Sequence, residues 1–307
     1  RIDYTGGGCP HILAEPQTTN LVTYSSDFSQ WIRGGSTIIE GGYLAPDGTN
    51  NAYKVSGSGS ALTLGASLLT TTTRSIYART TSGTGQANLC SFNSNTNNLF
   101  AITEQWQRFE VNSAIATGVT NFYAVDFRGG TTLSEIILWG ANATNDQDYA
   151  TSYIPTSGST VTRNQDQFTR DGIGSLINDS EGVLFVELSA LANDGTSRRI
   201  SLSDGSISNR VSLELDETAN KIKVFISLSG TSQILEYTAT NLLQFNKIAI
   251  KWKVNDFAIW FNGTEVATDS SGNVPTGMNQ LSFTAGSTSH NFDGKVKQLQ
   301  VYKTALT

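Results

Sequence analysis

Glu214-Leu215-Asp216 begins a pattern that carries hydrolytic chemistry. Carboxylates arranged as E-x-D-x-x-E on one strand bring a nucleophile and an acid/base within about 5 Å of each other, the spacing retaining glycoside hydrolysis requires. Here the last position of the pattern is Ala219, so no group remains to protonate the leaving oxygen. Alternation explains the run instead, with Val211, Leu213 and Leu215 on a core face and Glu214 and Asp216 on a solvated one. His11 and His290 are the only histidines, and both lie in loop-like surroundings, too little for a histidine-dependent nucleophile. No catalytic residue is assigned, and the chain reads as a non-enzyme.

Binding chemistry is better represented. Aromatic faces stack on the apolar side of pyranose rings while amides and carboxylates take the hydroxyls. Trp31 and Tyr43 sit beside glycine-rich turns, and Trp260 alternates out of phase with Phe257, Ile259 and Phe261, so these three are the candidate carbohydrate-binding residues. Trp139, after Ile136, Ile137 and Leu138, and Trp252, in phase with Ile248 and Ile250, read as core, and Trp106 fits either role. Asp47, Asp194 and Asp204 stand in Asp-Gly and Asn-Asp-Gly contexts that offer oxygen ligands to calcium, although the same words spell ordinary tight turns. Cys9 and Cys90 are too few and too far apart for a zinc site and leave one disulfide open as an option.

Composition narrows the partners. A net charge of -6 provides no basic stripe, so nucleic acid is not an expected ligand, and no apolar run is long enough to predict membrane insertion. Charged residues make up only 15% of the chain and the apolar residues come in short alternating runs, which predicts an all-β protein. At 307 residues the expectation is two domains, each able to bury its own core.

Those domains must position the candidates. After a glycine-rich lead-in, strand-like runs recur from Asn20 to Trp139 with turn signals between them, the rhythm of a sandwich or jelly roll. The phrase YATSYIPTSGSTVTR, Tyr149 to Arg163, cannot continue a ladder or build a core and reads as a seam. A second series of strands runs from Gly182 to Asn262, including a hairpin in KIAIKWKVNDFAIWFNG that reverses at Asn255-Asp256. The predicted division is a lead-in at 1–19, a β-sandwich at 20–154, a linker at 155–180 and a second β-sandwich at 181–307.

The hairpin and FDGKVKQLQVYKTALT, with the Phe261-Asn262-Gly263 turn and a final strand bearing Tyr302, Lys303, Ala305 and Leu306, resemble the closing strands of laminin-G-like, concanavalin A-like lectin/glucanase domains. The first half resembles modules of bacteriophage structural proteins. In these a lead-in like RIDYTGGGCPHILAEPQTTNLVTYSSDFSQW precedes a carbohydrate-binding-module-like jelly roll, and a phrase like ILWGANATNDQDYATSYIPTSGSTVTRNQD joins it to a lectin-like domain. The resemblance implies a homo-oligomeric tail fibre, spike or head fibre, assembled in the bacterial cytoplasm and displayed on the virion surface beside other virion proteins, that contacts a host-surface glycan. The alternative is a pair of carbohydrate-binding modules from a secreted bacterial polysaccharide-degrading enzyme.

Overall fold

The computed structural model describes residues 1–3, 10–68, 71–91, 98–115 and 120–305. In chain order the strands are β1 (Ile2–Asp3), β2 (His11–Ala14), β3 (Thr18–Asn20), β4 (Ile32–Arg33), β5 (Ile38–Tyr43), β6 (Ala52–Ser56), β7 (Ala61–Leu68), β8 (Thr71–Arg79), β9 (Gly85–Ser91), β10 (Leu99–Ile102), β11 (Gln107–Ile115), β12 (Thr120–Asp126) and β13 (Glu135–Thr144). They continue as β14 (Val161–Arg163), β15 (Thr169–Arg170), β16 (Glu181–Ala190), β17 (Arg198–Ser203), β18 (Arg210–Leu215), β19 (Lys221–Leu228), β20 (Thr231–Thr238), β21 (Asn246–Lys253), β22 (Phe257–Phe261), β23 (Thr264–Asp269), β24 (Gln280–Ser282) and β25 (Gly294–Tyr302). Among the described residues, helix is confined to single 3-10 turns at Phe28–Gln30 and Gly174–Leu176. The fold is all-β.

Two compact units share the chain. One comprises Gln17–Asn164 and the other joins Arg1–Pro16 to Gln165–Thr307. The first packs the sheet β10-β9-β12-β7-β4 on the sheet β11-β8-β13-β6-β5, around Phe28, Trp31, Leu62, Ile76, Leu89, Phe122 and Ile136. Cys90 lies in this core as a free thiol, which burial pushes up to about 12, and Cys9 is outside the described residues.

The second unit packs the sheet β1-β2-β25-β16-β21-β22-β23 on the sheet β15-β24-β17-β18-β19-β20. Its core follows from alternation: Leu184, Val186 and Leu188 of β16, Val211, Leu213 and Leu215 of β18, and Ile248, Ile250 and Trp252 of β21 all point inward. The hairpin turns where Asn255 takes a left-handed φ of 55°, a conformation asparagine tolerates better than most residues.

The observed division differs from the sequence reading at both ends of the first sandwich. The expected lead-in at 1–19 contributes β1 and β2 to the far sheet, where Ile12 stands opposite Val296 and Ala14 opposite Gly294. Ala14 is fully buried there. A four-residue strand has too few alternating positions to reveal itself, and its partner is nearly the whole chain away. The expected linker at 155–180 is also built into structure. Thr156 donates to the Val22 carbonyl (2.6 Å), Gly158 to Thr23 (2.7 Å), and Asn20 Nδ2 to Ile154 (2.8 Å), so the seam closes the first sandwich and ends with β14 paired to β3. Beyond it, β15 pairs with β24. Proline and small polar residues do bar a core strand, but they do not prevent side chains from stitching a segment down.

Candidate functional site

Charge, hydroxyl groups and an aromatic ring converge on the outer face of the sheet β15-β24-β17-β18-β19-β20. Three rows of residues cross it in register. One runs Arg199, Glu214, Lys223, Glu236. The next runs Thr169, Ser282, Ser201, Ser212, Phe225, Ile234. The third runs Gln280, Ser203, Arg210, Ser227, Ser232.

This face is not the ordinary solvated side of a sheet. Ser201, Ser203, Ser212, Ser227 and Ser282 are buried, as are Arg210 and Glu214. The small serines leave a low floor over which the long arginines fold. The guanidinium carbons of Arg199 and Arg210 lie 4.4 and 5.4 Å from the centre of the Phe225 ring, so two cations meet at one aromatic side chain. Arg199 donates to Glu214 Oε1 (3.0 Å), which also accepts from Ser197, while Arg210 Nη1 donates to the Ala285 carbonyl (2.5 Å). Among the described residues the Nε atoms of both arginines and Ser212 Oγ have no hydrogen-bond partner. Burial, reinforced by the Arg199 charge, brings the Arg210 guanidinium down to about 10.

A cavity of about 360 Å³ and another of about 240 Å³ lie on this unit. The smaller one opens beside the serine floor and is lined by Thr169, Gln280, Ser282, Thr284, Ser287 and Asn291, among others. Hydroxyls and carboxamides offer both donors and acceptors, which is what a polyol needs. Its rim depends on Gly286, at φ +89°, where a Cβ would stand 2.6 Å from the Ser206 carbonyl oxygen.

The sequence candidates lie elsewhere, and the structure does not bring them together. Trp31 is a correction. It is buried against Phe28 and Phe122, with Nε1 donating to the Tyr24 carbonyl (2.8 Å), because the 3-10 turn before it swings the indole inward. Tyr43 is half-buried in a cluster with Trp139, Tyr77, Trp106 and Tyr153, and its hydroxyl donates to Glu40. Trp260 is half-buried on the outer face of the other sheet of the second unit, opposite Ala249, with the Lys251 ammonium 5.4 Å from its ring centre. The larger cavity adjoins this face, lined by Val183, Phe185, Ala249, Tyr302, Lys303 and Thr304. Trp252 is core, as its phase predicts, and Trp139 is buried too, but with Ile137 in the smaller cluster on the face of β13 opposite to Ile136 and Leu138. Glu214 is a further correction, since it is buried and ion-paired rather than solvated.

The calcium candidates occupy separate turns. Asp47 accepts from the backbone and hydroxyl of Thr49 (3.0 and 2.7 Å), and Asp204 accepts from Ser206 and Asn209. Asp194 takes both ends of the Arg198 guanidinium (2.9 and 2.5 Å), so a cation already fills its place. Among the described residues no three histidine, cysteine or carboxylate side chains converge as metal ligands.

Arg198 also faces Asp293, its Nε 3.6 Å from Oδ2. Burial raises the Asp293 carboxyl to about 6 against the pull of Arg198, with Asp194 adding to the rise. The folded protein thus keeps a proton that the unfolded chain releases near 3.8. Because the native state binds more protons in that window, this group should lower stability as pH rises from about 4 to about 6. Urea unfolding of wild type and Asp293→Asn across the window should show the variant gaining roughly 2 kcal/mol relative to wild type. A constant difference would remove Asp293 as the cause.

Sequence reasoning missed Arg199, Arg210, Phe225 and the serine floor. One local signal was present: in RRISLS and RVSLEL the polar alternate positions are, apart from Glu214, serines and arginines instead of the usual Lys, Glu and Thr of a wetted face. Their convergence depends on strand pairing.

No family model matches the chain, and no curated protein matches it. Among solved structures, the CBM40 module of Ruminococcus gnavus IT-sialidase bound to α2,3-sialyllactose is 15% identical, covering 46% of this chain and 94% of that one at a TM-score of 0.36. The carbohydrate-binding module CBM66 from Bacillus subtilis is 14% identical over 40% of this chain and 76% of that one, with a TM-score of 0.31. Sheep galectin-11 is 8% identical over 44% and 97%, with a TM-score of 0.33. Likenesses this distant leave the ligand to be argued from this chain's own residues.

Proposed function

We propose that this chain is a non-catalytic glycan-recognition protein, displayed on a bacteriophage virion as part of a fibre or spike. The carrying observation is the hydroxyl- and amide-lined cavity of about 240 Å³ beside a buried serine floor in the second unit. Such a surface exchanges hydrogen bonds with sugar hydroxyls, and Phe225 supplies an apolar face. The carboxylates on the same face favour binding over hydrolysis. Glu214 is held in place by Arg199 and Ser197, and Asp216, despite the opposing effect of burial, is brought down to about 2 by Lys223 and Thr218, so Asp216 is not a proton donor near neutral pH.

The virion setting is supported by the resemblance of the lead-in, the seam and the closing strands to phage structural proteins. It carries with it a homo-oligomer, which multiplies weak sugar contacts into adhesion.

Glycan-array binding by the whole chain tests recognition. Thr169 is an exposed position on the cavity wall. Thr169→Trp should fill the space and weaken the retained glycans by about tenfold without moving the melting temperature. Unchanged binding would place recognition elsewhere. Mass spectrometry of purified particles tests the setting: the chain should be present in fixed stoichiometry, and its secretion beside a polysaccharide-degrading domain would favour the enzyme-module alternative.

A further inference from the structure

We infer that Arg199 and Arg210 form the receptor for an anionic substituent, so that the glycan bound on this face is an acidic saccharide. The inference rests on the glycan reading above and adds a charge requirement to it.

The charges on the face are almost all matched. Arg199 pairs with Glu214 (3.0 Å), Lys223 with Asp216 (2.5 Å) and Lys221 with Glu236 (2.7 Å). Four cations therefore meet three carboxylates, and the cation left over is Arg210, which has no carboxylate within ion-pair distance among the described residues. Arg210 is 6% exposed and feels Glu214 only at a distance, without a direct ion pair among the described residues; a buried guanidinium so placed is costly, and a chain of net charge -6 had carboxylates to spare. Ser212, two residues along the same strand, is fully buried, and among the described residues its hydroxyl and the Nε atoms of both arginines have no hydrogen-bond partner. Ser212 stands opposite Ser201 on β17, between the Arg199 and Arg210 rows, so the unsatisfied donors are neighbours. Planar, permanently charged forks in this setting match carboxylate, sulfate and phosphate oxygens. The adjoining hydroxyl-lined cavity takes the rest of the sugar.

The test is an array of neutral, carboxylated, sulfated and phosphorylated glycans, probed with the whole chain as wild type, Arg210→Met and Arg210→Lys. Acidic glycans should dominate the wild-type signal, and the class retained identifies the anion. Their binding should fall about tenfold or more in Arg210→Met and by a smaller factor in Arg210→Lys, which keeps the charge but loses the fork. It should also weaken on raising sodium chloride from about 0.05 to about 0.5 M. Arg210→Lys decides the matter if Arg210→Met does not fold. Retention of neutral glycans alone, sensitive to Thr169→Trp, would leave the glycan reading standing and overturn this inference. Acidic binding that survives both arginine variants would overturn it too, and an array with no retained glycan would overturn both.

Discussion

Deleting residues 1–16 should cost the second unit on the order of 5 kcal/mol and leave the first unit's unfolding transition where it was. The segment supplies β1 and β2, which cover the edge of β25. It buries Ala14, Leu13, His11 and Glu15, and the Glu15 carbonyl accepts from the Asp166 backbone (3.0 Å) while its own N–H donates to the Asp166 carboxylate (3.0 Å). Two lost core side chains and several ladder and loop hydrogen bonds amount to this sum. Since a domain of this size is stable by only about 5 to 15 kcal/mol, the truncated unit should be marginal. It should also aggregate, because the bared β25 edge offers unpaired backbone groups to another chain. Calorimetry of the full and truncated chains is the measurement, with separate transitions expected from the two distinct cores. If the truncated chain retains both transitions at the original temperatures, β1 and β2 are not integral to the sandwich.

Arg74→Ala should destabilise the first unit by about 3 to 5 kcal/mol, comparable to the loss of a large core aromatic. Arg74 is 1% exposed on β8, inside the sandwich, where desolvation brings its guanidinium down to about 10. It donates to Thr72 Oγ1 (2.9 Å) on its own strand and reaches across to the carbonyls of Ser91 (2.7 Å) on β9 and Asn121 (3.1 Å) on β12. β8 lies in one sheet, and β9 and β12 in the other, so this side chain ties the two layers together. Its guanidinium also lies 5.4 Å from the Phe122 ring centre. Alanine would open a cavity and leave the buried Ser91 carbonyl and the half-buried Asn121 carbonyl without these donors. Arg74→Met restores most of the volume but not the hydrogen bonds, and it should recover roughly half of the loss. Urea midpoints for the two variants separate these contributions. Equal stability of wild type and Arg74→Ala would mean that the bridge between sheets contributes nothing.

The sequence carried some of this and not the rest, and particular elements show why. In Arg210–Leu215 the order of residues fixes which side chains face the core, because successive side chains on a strand point to opposite faces whatever the partner. The same local rule placed Trp252 inside and located the turn at Asn255. Trp31 escaped it, since one 3-10 turn rotates the indole into the core and a glycine-rich neighbourhood does not reveal that. Glu214 escaped as well. Its face was legible, but its burial depends on the serines of neighbouring strands and on Arg199 folding over them.

What the amino-acid order determined by itself was therefore the all-β class, the strand phases and the turns, each set by contacts within a few residues. Only the tertiary structure decided that His11–Ala14 completes a sheet with Gly294–Tyr302, that the seam is stitched into the first sandwich, and that Arg199, Arg210, Ser212 and Phe225 share one site. Those outcomes rest on pairing and register between distant segments. A strand's own alternation gives its faces but does not name its neighbour.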